Sequence, residues 1–453
     1  ATTCSMAAHR AATSGTEPGT SPFDKLSPMT TPSLLDRPQA AAPAATAPPR
    51  PAPALPPSPA ATRVTSDAQA LEVAHALAAR FAEHALERDR DRLLPWEEVD
   101  TFSASGLWGI TVPKAYGGAG VSPWTLAQVV ALISSVDGSL GHIPQNHYYA
   151  LEVLRVGGSE AQKRFFFDRV LRGERLGNAL AEIGHKDYKR RTHLQHGAEG
   201  WVLQGQKFYC TGALFSHWIP TLAVSSTNGV ETSLLVFVPR TAPGVDIVDD
   251  WDGFGQRVTG SGSVSFNQVA IDPAWIVPFK TSFDTPTTIG PFAQLIHSAI
   301  DLGIGQGAFA ATLPYIRQHA RPWMDAGVPT AADDPLTVHQ VGNVHLRLHA
   351  AQVVLEHAAQ VTAAAQADPT EDTVATASIA VAQAKVLSTQ AGLLAAEKLF
   401  ELSGTSSSLA EHGLDRFWRN VRTHTLHDPV RWKVHAIGNY ALNGKRPPRH
   451  GAL

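Results

Sequence analysis

Cysteine is nearly absent. Only Cys4 and Cys210 occur in 453 residues, which excludes a disulfide framework and a cysteine-built zinc site. Long apolar runs are missing too. The best candidate, Ile289 to Ala311, is interrupted by His297 and Asp301, so no uncharged stretch reaches the length of a bilayer crossing. Charge of one sign is scarce: the net charge is -3, and the longest basic tract is Lys189-Arg190-Arg191. Neither nucleic acid nor a membrane is therefore an expected partner. These absences point to a soluble protein of a reducing compartment, taken as cytoplasmic.

What is present changes along the chain. Residues 1–65 are rich in Ala and Pro, as in Gln39-Ala-Ala-Ala-Pro-Ala-Ala-Thr-Ala-Pro-Pro. Such a stretch cannot bury a core, so a disordered leader without chemistry is expected. Ser66-Asp-Ala-Gln-Ala-Leu-Glu-Val reads as a capped amphipathic helix, and helical periodicity recurs over 66–175. Over 176–285 short β-rich runs such as Ser233-Leu-Leu-Val-Phe-Val238 alternate with Gly, Asn and Pro. Helices return over 286–453, including the Ala-rich stretch from Val374 to Leu402 that ends at Gly404. No 20–50-residue repeat is present.

One late stretch concentrates the chemistry: Asp415-Arg-Phe-Trp-Arg-Asn-Val-Arg-Thr-His-Thr-Leu-His-Asp-Pro429. On a helix, Arg416, Arg419 and Arg422 form a cationic flank beside a face of Phe417, Val421 and His424. His424 and His427 would stack on one side, with Pro429 as the stop. Such a face could serve an anionic cofactor and a proton transfer. From spacing alone, an ion-paired surface helix with one satisfied histidine is the favoured reading. Two other patterns weigh less. Gly303-Ile-Gly-Gln-Gly307 has no preceding strand and reads as a small-residue packing face, not a dinucleotide loop. Glu72-Val-Ala-His75 and Glu182-Ile-Gly-His185 have di-iron spacing, but about one such match arises by chance, and no metal site is expected.

The order helices, β region, helices, with Val112-Pro-Lys-Ala-Tyr-Gly-Gly118, Trp201-Val-Leu-Gln-Gly-Gln-Lys-Phe-Tyr-Cys-Thr-Gly212 and Gly253-Phe-Gly-Gln-Arg-Val-Thr-Gly260 at its seams, resembles the acyl-CoA dehydrogenase superfamily. The resemblance implies an α+β, mostly α fold: an N-terminal helical domain, a central β-barrel-like domain and a C-terminal four-helix bundle, usually as a homotetramer. A dehydrogenase of that family needs a carboxylate to abstract a proton alpha to a thioester. Pro286 to Ile300 holds no Asp or Glu, and the alternative position holds His424-Thr-Leu-His427 with only Asp428 acidic. The late stretch, with Asp137-Gly-Ser-Leu-Gly-His142 and His319-Ala-Arg-Pro-Trp323, instead resembles the flavin-dependent monooxygenase branch.

That resemblance implies a two-component, FMNH2-dependent monooxygenase. It would insert one atom of O2 into a sulfide, sulfoxide or sulfone through a C4a-hydroperoxyflavin, fed by a separate NAD(P)H-flavin reductase. A flavin hydroxylase of an aromatic carbon or amine nitrogen is the alternative, followed by an acyl-CoA dehydrogenase or a non-catalytic flavin-binding protein. The proton-donating role falls by resemblance on His427, assisted by His142 and Thr211; histidine's ordinary pKa of about 6.5 suits it. Cofactor contacts are expected from Asn146, Asn178, Phe208, Tyr209, Thr211, Trp251, Thr405, Ser406, His424 and His427. Arg321 is expected on the FMN phosphate, reaching from a neighbouring subunit. Asn146 stands where the dibenzothiophene-oxidising group carries tyrosine, and Thr211 where it carries serine. A small organosulfur substrate is accordingly expected over a large flat aromatic one.

Overall fold

The computed structural model describes residues 60–183, 189–198, 200–227 and 229–452. Residues 1–59 of the expected leader, Cys4 and His185 lie outside the described residues. The first folded helix is α1 (Asp67–Ala82), and the Ser66 hydroxyl accepts from the Gln69 amide at its start, as the sequence suggests. Then come α2 (Ala85–Asp91), α3 (Trp96–Ser105), α4 (Pro123–Val136), the one-turn α5 (Gly138–His142), α6 (Gln145–Gly157) and α7 (Glu160–Leu171). The Asp137 carboxylate caps α5 by accepting from the Ser139 and Leu140 amides, which fixes the helix that carries His142.

Seven strands follow: β1 (His193–Gly197), β2 (Gly200–Lys207), β3 (Trp218–Thr227), β4 (Val230–Pro239), β5 (Val245–Val248), β6 (Ser263–Ile271) and β7 (Ile276–Pro278). They form one sheet in the order β5-β6-β2-β1-β3-β4-β7. Every pairing is antiparallel except β1 with β3. Residues 176–181 run alongside the sheet, with isolated bridges from Leu176 to Trp218, Ala179 to Thr221 and Ala181 to Phe208. This carries Asn178 next to the chain leaving β2.

The remaining helices are α8 (Ile289–Gln318), α9 (Pro335–Ala367), α10 (Glu371–Ser403), α11 (Asp415–His424) and α12 (Val430–Asn443). Residues 289–305 of α8 are all buried, so this is the central helix, enclosed on every side. Gly303, Gly305 and Gly307 explain how it can be. A Cβ added at Gly303 would sit 2.3 Å from the Ala131 carbonyl oxygen, and one at Gly305 would sit 2.6 Å from Gly392 Cα. One at Gly307 would meet the Ser135 oxygen at 1.9 Å. The glycine run is a packing face against α4 and α10, as its helical setting suggests. It leaves no room for a dinucleotide.

α10 changes one expectation. By length and composition it could cross a membrane, yet 67% of its most apolar window is buried inside the protein, against α8 and α9. The Ala-rich run ends at Ser403, where Gly404 takes φ 77°, a conformation a β-carbon disfavours.

Candidate active site

Along the enclosed α8, Gln294, His297 and Asp301 fall at i, i+3 and i+7, so they share one stripe. Polar groups buried in an apolar helix must find partners. Asp301, with 0% exposure, has several. The Lys385 ammonium donates to its Oδ2 at 2.5 Å and the Thr389 hydroxyl at 2.7 Å, both from α10. His424 Nδ1 meets its Oδ1 at 2.5 Å. Burial raises the carboxyl's pKa, but Lys385 and His424 more than offset it and hold Asp301 well below the usual carboxylate range.

An ionised carboxylate only accepts, so His424 carries its proton on Nδ1 and offers the Nε2 lone pair. His297 Nδ1 lies 3.0 Å from that Nε2 and therefore donates. The order from Lys385 through Asp301, His424 and His297 thus fixes each imidazole's tautomer and leaves His297 Nε2 as the open end. Burial pushes the pKa values of His142, His297 and His424 below the ordinary histidine value. These rings are held neutral.

His427 is placed differently from the expected common helix face. α11 ends at His424, and His427 lies in the link before α12, because the Pro429 ring cannot continue the helix. Its ring packs at a tilt on His297 with centroids 4.1 Å apart, and the His424 ring lies 5.2 Å from that of His297. The two late histidines therefore meet through His297. Nδ1 of His427 faces the Asp428 carboxylate at 3.1 Å, which also accepts from Gln294 Nε2 at 2.8 Å. Burial raises the Asp428 pKa, yet His427, Lys433 and Gln294 outweigh it and keep the group ionised. Lys433 itself is pushed down to about 8 by burial.

The expected absence of a carboxylate needs correcting. Asp301 stands one residue beyond Pro286 to Ile300, and Asp428 is also at the site. Both, however, are closed on imidazoles and ammonium or amide donors, so neither is free. For the arginine flank, the ion-paired alternative is the one formed at Arg419. Arg419 donates to Asp89 Oδ2 at 2.5 Å and to Asp415 at 2.7 Å, and the Arg416 guanidinium lies 4.0 Å over the Phe417 ring. Ion pairing spends Arg419 on holding α11 to α2.

His142 completes the cluster, its ring 4.8 Å from that of His424. The loop of Trp251 and Gln256 docks on α11, with the Gln256 amide donating to Asn420 Oδ1 at 2.6 Å. Gln256 also faces His142, although buried His142 Nδ1 and Gln256 Oε1 meet no full hydrogen-bond geometry among the described residues. Thr211 sits in the turn after β2, beside α5: a Cβ on Gly212 would lie 3.2 Å from the Ile143 oxygen. Its hydroxyl shares a 2.7 Å hydrogen bond with Ser261, and Ser261 one of 2.5 Å with Thr259. Next to it Tyr209 adopts φ 55°, and the Asn178 amide donates to the Tyr209 carbonyl at 3.2 Å. Phe208 is tied to Ala181 by its backbone amide. Trp251 donates from Nε1 to the Gln256 carbonyl at 2.8 Å and meets the Tyr209 ring edge-on. Asn146 is buried on α6.

Five expected contacts are exposed, two of them, Tyr209 and half-exposed His427, beside the cluster and three away from it. Arg321 is exposed in the segment after α8, and Thr405 and Ser406 are exposed past α10. Tyr315 donates to the Ser406 hydroxyl at 3.0 Å. The metal question has a specific answer in the ring nitrogens. His142, His297 and His424 place ligand atoms within 4.8 Å of one another, but both nitrogens of His424 are taken by Asp301 and His297. Glu72 and His75 are exposed on α1. Glu182 is spent on Lys207 at 2.6 Å and on the Arg191 and Thr192 amides.

His297, Asp301, Lys385, Thr389 and Gln294 were not among the expected site residues. The polar stripe on an otherwise apolar α8 is the signal that could have found those on α8.

Known proteins share this architecture. Residues 66–174 match the family described as "Acyl-CoA dehydrogenase, N-terminal domain" and residues 295–432 match "Acyl-CoA dehydrogenase, C-terminal domain". A dibenzothiophene monooxygenase of Rhodococcus erythropolis is 34% identical over 402 residues, covering 85% of this chain and 96% of the relative. The crystal structure of FMN-bound TdsC from Paenibacillus sp. A11-2 superposes with a TM-score of 0.82 at 30% identity, over 85% of this chain and 100% of that one. Methanesulfinate monooxygenase MsuC from Pseudomonas fluorescens gives a TM-score of 0.77 at 32% identity, over 84% of this chain and 98% of that one. The chain belongs to the acyl-CoA dehydrogenase superfamily, in the flavin-dependent monooxygenase branch of these relatives.

Proposed function

We propose that the chain is a two-component monooxygenase that uses FMNH2 and O2 to oxygenate an organosulfur compound. One oxygen atom goes to sulfur and the other leaves as water, both electrons coming from the reduced flavin. The observation that carries this reading is the state of the two site carboxylates. Asp301 and Asp428 are each closed on an imidazole, so neither is free to pull a proton from a thioester. Sulfur is its own nucleophile and needs no such base.

The residues fit FMN. Its ring system is edged by nitrogens and carbonyl oxygens, and the cluster supplies imidazole, hydroxyl and amide groups. Among them His142 and Gln256 face one another, and their buried Nδ1 and Oε1 atoms meet no full hydrogen-bond geometry among the described residues. Arg321, exposed and without an ion pair among the described residues, has the fork geometry that suits a phosphate. Bound and reduced, FMN supplies the electrons that activate O2.

The chain supplies proton control and dryness. Asp428 accepts at His427 Nδ1, which leaves His427 Nε2 as the atom that delivers or receives a proton at the reacting centre. His297, fixed with His424 as a neutral tautomer, packs its ring on that of His427 and keeps a second lone pair at Nε2. Thr211 hands its proton within a buried hydroxyl row. Enclosure of α8 and burial of the His297 and His424 rings shield that side of the site from water, which would otherwise release reduced oxygen as peroxide. The half-exposed His427 ring is left as the open side. Electrons arrive with diffusing FMNH2 from a separate reductase.

Chemically reduced FMN, isotopically labelled O2 and a panel of sulfides and sulfinates test the reading. Label in the oxygenated sulfur product is the expected result. Conversion of every substrate-loaded turnover to peroxide, or oxidation of an acyl-CoA, would contradict it.

A further inference from the structure

A second feature lies one residue layer from the histidines. A cavity of about 320 Å³ opens between α6, the sheet and the carboxyl-terminal tail, within the size range of small-molecule sites. Its apolar surface comes from Leu180, Leu222, Phe279 and Phe283. Leu180 is two residues from Asn178. The tail forms the opposite wall: the Gly451 carbonyl accepts from Gln294 Nε2 at 3.1 Å. The same amide donates to Asp428, the partner of His427. Gln294 thus links the cavity's tail wall to the carboxylate that holds His427.

Cationic side chains lead the polar groups facing this space, beside Tyr149, Ser233 and His450. Arg190 and Lys280 line it, and among the described residues neither has a carboxylate within ion-pair distance. Half-buried Arg190 has one long contact, Nη1 to the Leu180 carbonyl at 3.5 Å. The nearby Glu182 carboxylate is committed to Lys207. Arg449, by contrast, is closed on Glu371 at 2.6 Å and serves as wall. Tyr149 is 6% exposed, and its hydroxyl, facing Gly451, makes no hydrogen bond to a described residue. Burial pushes its pKa up, so it stays a donor. The negative charge felt by half-buried Arg190 among the described residues is that of Glu182, which Lys207 already neutralises, so a further anion would stabilise the guanidinium.

We propose that this cavity is the substrate pocket and that it selects an organosulfur anion, a sulfinate whose apolar body is larger than a methyl group. The sulfinate oxygens lie against Arg190 and Tyr149, and the body rests on Phe279 and Phe283. This rests on the monooxygenase reading and deepens it. The step balances as sulfinate plus O2 plus FMNH2 giving sulfonate, FMN and water: sulfur gains one oxygen and loses two electrons, and the flavin is the other reductant of O2.

The test has a binding arm and a turnover arm, both on the full chain with FMN. In calorimetry, unreactive benzenesulfonate binds more tightly than neutral methyl phenyl sulfone, and Arg190→Gln weakens the anion about ten- to hundredfold, as expected for a lost charge-assisted bond. Arg190→Lys recovers part of the loss, and Lys280→Gln, at the exposed rim, gives a smaller one. In turnover, benzenesulfinate has a higher kcat/KM than methanesulfinate or methyl phenyl sulfide, and Arg190→Gln lowers the sulfinate-to-sulfide ratio about tenfold or more through KM. Benzenesulfonate binding that Arg190→Gln and Lys280→Gln both leave unchanged overturns the anion pocket, even if sulfides are oxygenated. Charge-selective binding without oxygen transfer to any sulfur compound sinks the monooxygenase reading instead, and with it the pocket's role as substrate site.

Discussion

The imidazole cluster and the Arg321–Thr405–Ser406 surface belong to one expected site, yet the chain completes only the first. Asp301 is fully buried and engages Lys385, Thr389 and His424. Arg321 lies in solvent with no counter-ion among the described residues. The difference is chemical. Groups that manage a proton must be held before the reaction, because fixed dipoles cost nothing to reorganise. A group that meets a phosphate can wait in water for it.

The largest way to break that comparison is Asp301→Ala. It strands a buried ammonium and frees His424, so the folded state should lose about 3–5 kcal/mol in urea titration, whereas Arg321→Ala should change stability by less than about 0.5 kcal/mol. Near-equal stabilities would mean the cross-brace does not hold the cluster. Next in size, Arg321→Ala should weaken FMN binding about ten- to hundredfold by fluorescence titration; unaltered affinity would remove Arg321 from the phosphate.

The pH dependence sharpens the same contrast. Burial lowers His147 to about 3 and His217 to about 4, and His142, His297 and His424 shift in the same direction. Below the ordinary value of about 6.5, the unfolded chain binds protons that the folded chain refuses, so stability falls with falling pH. Each such group costs up to about 1.4 kcal/mol per pH unit until its folded pKa is reached. Urea midpoints should therefore drop between about pH 6.5 and 5, above the range where the depressed carboxylates add their own loss. A flat profile over that window would argue that the histidines are solvated. The smallest effect belongs to the exposed Glu72 and His75: replacing both with Ala should move stability by under about 0.5 kcal/mol and leave turnover intact.

Where the local pattern sufficed, the sequence was readable. Ser66 caps its helix, the Ala-rich run ends at Gly404, and Gly303, Gly305 and Gly307 pack as a small-residue face should. The residues that stayed hidden depend on long-range meetings. Lys385 and Thr389 find Asp301 from another helix, 84 and 88 positions away, and nothing in spacing announces that. His427 escaped its assumed helix because Pro429 ends the helical path early. The tail's return to Gln294 and Lys433, which walls the cavity, is equally invisible in periodicity. Lys189-Arg190-Arg191 was legible only as a tract too short for nucleic acid. The fold placed Arg190 over a cavity.

His427→Ala, loaded anaerobically with FMNH2 and then pulsed with O2 beside an organosulfur substrate, tests proton control by imidazole most directly. Oxidised product should fall by about a hundredfold or more with peroxide appearing in its place, while FMN affinity stays within about tenfold. Undiminished oxygen transfer by this variant would contradict the account.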